Sequence, residues 1–286
     1  MSDRRLEHHR AGSGEPLLLL HGVGHTWRAW RGILPELEGG FDVVAPDLPG
    51  FGGSAPLPAG TAPTLGALAD AVERELDALG WDAPHVAGNS LGGQIALELA
   101  RRGRARTVVA VSPAGMWTPR ESLWGRSVLR LMRTLSFAPR PDLALRLAPV
   151  RLVVAGGVLG RPWRADPGEL AEATLFVRKS SAFGATSREV HRRHPEGLGE
   201  IRAPVLVVWG TRDRLTLPRQ ATRWVDAIPG AELRWLPGLG HLPMLEDPEL
   251  VAHTIRDFIA GAGRTPAPGS TASGALRPTA STTPSP

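Results

Sequence analysis

The sequence predicts an α/β fold: a mostly parallel sheet with helices on both faces, interrupted by one helical insertion. Three observations carry this. Short apolar runs alternate with amphipathic stretches along most of the 286 residues, and a run that is apolar at every position suits a strand buried on both faces. The alternation stops between residue 116 and about 197, where helical periodicity continues without a convincing strand. The turns that follow several apolar runs are rich in glycine and carry serine, aspartate or histidine, at the strand ends where open parallel sheets bind ligands.

Taken in order, PLLLL (16–20) reads as a buried strand and TWRAWRGILPELEG (26–39) as one amphipathic helix opening at Thr26. FDVVAP (41–46) is the next strand, followed by the turn-rich DLPGFGGSAPLPAG. LGALADAVERELDALG (65–80) has helical spacing and a terminal glycine; HVAG leads into a helix after Ser90, and RTVVAVSP (106–113) is again a strand. In the insertion, SLWGRSVLRLMRTLS and PGELAEATLFVRKSS are helical. APVLVVWG (203–210), RQATRWVDAI (219–228), AELRWL (231–236) and PELVAHTIRDFIA (248–260) resume the alternation. The expected organisation is a core of residues 1–115 and 198–262, a helical cap of residues 116–197, and a disordered Pro/Ala/Ser/Thr/Gly tail over 263–286 that cannot bury enough apolar surface to order itself.

Composition narrows the function. There is no cysteine, which removes disulfides, thiolate metal sites and cysteine nucleophiles together. The net charge is +5 and almost every cation is arginine, Lys179 being the one lysine. Charges of both signs are interspersed without a dense basic block, so nucleic acid is not an expected partner. The N-terminus places Glu7, His8 and His9 where a signal peptide needs its apolar core, and no apolar run approaches the roughly 20 residues of a membrane helix. A cytoplasmic protein with a small-molecule substrate and no stable membrane association is expected. A basic amphipathic helix in the insertion could rest on a lipid surface; the plainer expectation is a lid with solvated arginines outside and Trp124, Leu129 and Met132 inside.

The chemistry centres on Gly88-Asn89-Ser90-Leu91-Gly92, between a strand and a helix. Glycines there let strand and helix approach closely while a sharp turn presents the serine at a helix N-terminus. A serine needs a base, and His241, in the glycine-rich loop after AELRWL, is the histidine best placed among nine. His8, His9, His191 and His194 are expected at the surface. The imidazole needs an orienting acid, and Asp213 follows the strand ending at Gly210; Asp47, in DLPGFG, reads as a turn former. The chain order Ser90, Asp213, His241 accompanies the nucleophile elbow. His21-Gly22-Val23-Gly24 exposes backbone amides after a strand, so the Val23 and Leu91 N–H groups are assigned as oxyanion donors. Trp117, Trp124 and Met132 are expected to line the substrate pocket.

With LLLLHGVG, DLPGFGGS, GNSLGG, WGTRD and GLGHLPMLEDPEL in this order, the chain resembles the α/β-hydrolase fold superfamily over about residues 5–262. The resemblance implies an eight-stranded, mostly parallel sheet and an acyl-enzyme mechanism without cofactor or metal. Ser90 stands where haloalkane dehalogenases and most epoxide hydrolases of the superfamily carry aspartate. Relative to the carbon–carbon hydrolases of ring-cleavage pathways, the Gly-Pro-Gly stretch is missing and Leu242 replaces a tryptophan. A carboxylic ester hydrolase is therefore expected. The alternatives are a carbon–carbon hydrolase of an acidic dienoate, a cofactor-free haloperoxidase-like perhydrolase, and a non-enzymatic binding protein.

Overall fold

The computed structural model describes residues 5–192 and 194–262; the expected tail over 263–286 lies outside the described residues. Strands β1 (His8–Ala11), β2 (Glu15–Leu20), β3 (Phe41–Pro46), β4 (His85–Asn89), β5 (Thr107–Val111), β6 (Val205–Gly210) and β7 (Glu232–Leu236) form one sheet in the order β1-β3-β2-β4-β5-β6-β7. Every neighbouring pair is parallel except β1 with β3. The described sheet thus has seven strands rather than eight. Its antiparallel edge is the four-residue β1, and only Arg5, Leu6 and Glu7 precede it among the described residues.

The central strands β4, β5 and β6 are buried throughout, as uninterrupted apolar runs require, and the edge strands β1 and β7 are half-exposed. Around the sheet lie α1 (Leu34–Glu38), α2 (Leu65–Leu79), α3 (Leu91–Arg101), α9 (Gln220–Ala227), α10 (Pro243–Glu246) and α11 (Pro248–Ala262). Between β5 and β6 run α4 (Pro119–Leu135), α5 (Pro141–Ala144), α6 (Ala148–Ala155), α7 (Pro167–Lys179) and α8 (Phe183–Val190). The single helix expected over 26–39 is split into a 3-10 turn, Trp27–Trp30, capped by Thr26, and α1. Pro35 has no N–H to continue a helix and fits only a first turn, so it starts a second one.

The order of connections fixes the site. From β2 the chain moves outward to β3, then returns past β2 to lay β4 on its other side. The loops leaving β2 and β4 therefore diverge and open a crevice at their carboxyl ends. His21 and Ser90 are the first residues beyond those two strands.

Carboxylates tie the insertion to the core, Glu121 and Glu246 among them. Glu121 caps α4 and is buried, receiving hydrogen bonds from Arg223, Arg219 and the Thr118 amide. Burial alone would raise its pKa, but these donors outweigh burial and bring it down to about 2. Glu246, on α10, accepts from the amides of Gly160, Arg161 and Gly240, at 3.1, 2.8 and 2.7 Å. It thereby stitches the segment after α6 to the loop that carries His241.

Candidate active site

Ser90 sits at the N-cap of α3 with φ 56° and ψ −112°, a conformation that L-residues rarely adopt. The turn is possible because its flanks are glycines. A Cβ on Gly88 would stand 2.2 Å from the Gly92 carbonyl oxygen, and one on Gly92 would stand 2.1 Å from that of Leu20. The strained backbone is held on both sides, the Ser90 amide donating to Val111 O and the Ser90 carbonyl accepting from Ala114 N. Asn89 locks the next layer, its amide donating to the carbonyls of Val111 and His241.

Asp213 and His241 meet beneath this turn. His241 Nδ1 lies 2.8 Å from Asp213 Oδ2, and both residues are buried. Asp213 Oδ1 accepts from the amides of Leu215 and Thr216, each at 2.9 Å, so its carboxylate is fixed in orientation. The Thr216 hydroxyl donates to Asp213 Oδ2 at 2.7 Å and lies 2.9 Å from His241 Nδ1. This network puts the imidazole proton on Nδ1 and leaves Nε2 with a lone pair, the tautomer a general base requires. Thr216 was not anticipated from the sequence; a hydroxyl residue three positions after an aspartate in a turn was the available sign.

His21 holds the first loop. Its Nδ1 donates to Gly22 O at 2.8 Å and its Nε2 accepts from Leu48 N at 2.9 Å. Burial pushes its pKa down to about 4, so it serves as a neutral brace. A Cβ on Gly22 would approach Ser90 Cβ to 3.1 Å, which measures how closely this loop covers the elbow. Among the described residues neither the Val23 nor the Leu91 amide donates a hydrogen bond. Asp47 receives the Trp27 and Gly53 amides and makes the turn expected of it.

Ser90, His241, Val23 and Thr216 line one cavity of about 30 Å³, with Trp117, Leu129 and Met132 of the insertion also in its wall. Of the three residues expected there, Trp117 and Met132 line it and Trp124 does not. Trp124 is 49% exposed, its indole N–H bonded to Arg214 O on the outer side of α4. Helical spacing identified α4 as amphipathic, but Leu129 rather than Trp124 lies on the face that meets the core.

Two cavity histidines also escaped the sequence reading. His191, expected at the surface, stacks on Trp117 with ring centroids 4.2 Å apart and planes 3° from parallel. Its Nδ1 donates to Ser187 O, and burial lowers its pKa, keeping the ring neutral. His25 also lines the cavity; burial, then the nearby His21 and His241, brings its pKa down to about 4. Its position five residues past a strand, in the HGVGH run, was the only available sign.

Residues 15–248 match the family model described as alpha/beta hydrolase fold. The chain belongs to that family. It is an enzyme of hydrolase type, and several of its curated relatives are named as hydrolases. This hydrolase is 34% identical over 204 residues to the epoxide hydrolase EphH of Mycobacterium tuberculosis, covering 67% of this chain and 93% of that one. It is 29% identical to a 2-hydroxy-6-oxo-6-phenylhexa-2,4-dienoate hydrolase of Burkholderia cepacia, over 91% and 93% of the two chains. Among solved structures, a thermophilic esterase from Thermogutta terrifontis superposes with a TM-score of 0.72 at 25% identity, covering 90% of this chain and 93% of that one.

Proposed function

We propose that this hydrolase cleaves carboxylic esters with an apolar acyl part through a Ser90–His241–Asp213 triad and an acyl-enzyme intermediate. The observation that carries the reading is the Asp213–Thr216–His241 network beside a serine on a strained elbow, with the base and the serine in one cavity. Ser90 Oγ adds to the ester carbonyl carbon as its proton passes to His241 Nε2. Asp213, its carboxylate already saturated with donors, stabilises the imidazolium without taking a proton. The oxyanion is received by the Val23 and Leu91 amides, which no other acceptor engages. Collapse expels the alkoxide, protonated by His241. Water then enters by the same route, is deprotonated by His241, and releases the acid and Ser90.

Residues 116–197 act in this reading as the cap that shapes the acyl site, with Trp117, Met132 and Leu129 against the acyl chain. Among the described residues no arginine or lysine lines the cavity, which suits an uncharged acyl group better than an acidic dienoate. Epoxide opening by a carboxylate nucleophile has no counterpart at position 90. Covalent labelling of Ser90 by a fluorophosphonate, followed by turnover of a p-nitrophenyl ester series against a ring-cleavage dienoate, tests the proposal. Labelling with faster ester turnover is the expected result; faster dienoate cleavage would transfer the assignment to carbon–carbon hydrolysis, and an unlabelled Ser90 would remove the triad.

A further inference from the structure

The insertion carries a feature that hydrolysis alone does not use. Most of the large apolar side chains left in solvent by the described residues fall between Leu123 and Trp163. Leu131 and Phe137 stand at the end of α4, Leu143 and Leu147 around α5, and Leu152 and Val153 on α6, each more than half exposed. Single exposed leucines are ordinary, but a succession on three consecutive helices is not. These helices also enclose a groove of about 330 Å³, with Leu135, Leu145, Val150 and Val154 among its walls.

Charge accompanies the apolar surface. From residue 116 to 165 there are nine arginines and two carboxylates, Glu121 and Asp142. Glu121 is buried and already bonded to Arg219 and Arg223. Among the described residues none of the nine arginines forms an ion pair, and Arg120, Arg126, Arg130, Arg140, Arg146 and Arg164 are exposed. The face therefore offers leucine, phenylalanine and half-exposed tryptophan (Trp124, Trp163) beside cations that lack counter-charges.

We propose that this face docks reversibly on an anionic lipid bilayer, and that its groove admits an acyl chain from the bilayer toward Ser90. Apolar side chains that enter the headgroup boundary, flanked by arginines, are what binding in the plane of an interface requires. Tryptophan settles at the same depth, and arginine stems cover apolar surface while their heads reach phosphates. No described helix is long and apolar enough to cross a membrane, so the attachment is peripheral. A second copy of this chain is a poorer occupant, because a two-fold contact would set the arginines of one face against those of the other.

The route inward is marked by shared walls. The groove has Val154 and Thr174 in common with a small inner cavity. That inner cavity shares His25, Met132, Val158 and Leu242 with the cavity at Ser90. One layer of side chains thus separates each space from the next. The acyl route rests on the proposed ester hydrolysis; the docking surface does not.

The test is sedimentation of the full chain with vesicles of phosphatidylcholine alone and of phosphatidylcholine mixed with phosphatidylglycerol. Binding to the anionic vesicles is expected, weakened about tenfold by omitting phosphatidylglycerol or raising salt. The double variant Leu147→Glu, Val153→Glu should lose at least about tenfold in vesicle binding while keeping its melting temperature and fluorophosphonate labelling. Absence of wild-type binding to the anionic vesicles, or full binding by the double variant, would overturn the docking face. A wild-type dimer that ignores vesicles and is split by the double substitution would assign the face to a second copy instead. Vesicle binding by a protein whose Ser90 resists labelling would leave docking standing and remove only the proposed triad and ester hydrolysis. For the route, Val154→Phe should slow hydrolysis of long-chain esters presented in anionic vesicles and spare a short soluble ester; equal slowing of both would overturn it.

Discussion

The two walls of the catalytic cavity are built on opposite terms. On the core side the polar groups around the base hold one another: Asp213 receives two amides, a hydroxyl and His241, and the Asn89 side-chain amide bridges two carbonyls. At the surface many core arginines are ion-paired, Arg102 by itself reaching Glu98, Asp70 and Glu73. The insertion has apolar walls and unpaired arginines, and carboxylate ties hold it at scattered points, among them Glu121 on α4, Glu246 at Gly160 and Arg161, and Glu172 to Arg31. A wall whose polar groups hold one another is rigid, while a wall held at separate points can move between them or meet something else. In the proposed mechanism this difference separates the parts that carry the chemistry from the parts that choose and admit a substrate.

The largest expected effect strikes the core wall. Ser90→Ala, His241→Ala or Asp213→Ala should each lower ester turnover by about 10³-fold or more, and combinations should cost little beyond the worst single change, because the three act as a unit. Steady-state rates on a p-nitrophenyl ester check this. Near-additive losses would break the triad into independent contributions. Ser90→Ala should not lower the melting temperature, since the hydroxyl makes no hydrogen bond on which folding depends.

Next comes the tie between the walls. Glu246→Ala leaves three buried amides without their acceptor, at a cost of about 3 kcal/mol and roughly 5–10 °C in melting temperature. Activity should fall with it, because the same carboxylate positions the loop of His241. Retention of full activity with normal thermal unfolding would show that the two walls are not coupled there.

The core wall was legible in the sequence because its demands are local. An elbow needs glycine at 88 and 92, where carbonyl oxygens leave no room for a Cβ. A parallel strand needs an unbroken apolar run, and β4, β5 and β6 have one. The short strand β1 has no such run: HHRA joins the sheet through backbone pairing with β3, more than thirty residues away. For the insertion, periodicity gave the helices α4 and α7 but not their rotation. Trp124 and Leu129 are both large and apolar on α4, and only packing against the core decides that Leu129 goes in and Trp124 goes out. His191 was hidden for the same reason, since its place depends on where Trp117 lies.

That pair of aromatic rings offers the next comparison. His191→Ala removes the ring stacked on Trp117 and should reorder acyl-length preference several-fold, given about 0.8 kcal/mol per buried methylene, while sparing fluorophosphonate labelling. Trp124→Ala, on the outer side of the same lid, should leave that ranking unchanged. If both variants shift it alike, the cavity does not end at Trp117.

The smallest effect is a pH dependence. His21 and His25 are held near 4 from an ordinary 6.5 by burial, and His85 and His191 are lowered in the same direction. The unfolded chain therefore takes up protons below about 6.5 that the folded chain refuses until about 4. Stability should be full above 6.5 and decline as pH falls through that window. His25→Phe, which keeps the bulk and removes the titration, should flatten the slope of melting temperature against pH; an unchanged slope would mean His25 is already charged when folded.

The cavity over Ser90 has about 30 Å³ of space, room for roughly two waters. In the proposed mechanism an acyl chain attached to the serine evicts both, and the water that must cleave the acyl-enzyme then has to wait outside. The covalent intermediate would then be a clock for the proposed lid: its lifetime would count the openings of the insertion, motions of microseconds to milliseconds, rather than the intrinsic reactivity of the ester. Leaving groups of very different acidity should then turn over at nearly the same saturated rate, and added viscosity should slow them all together.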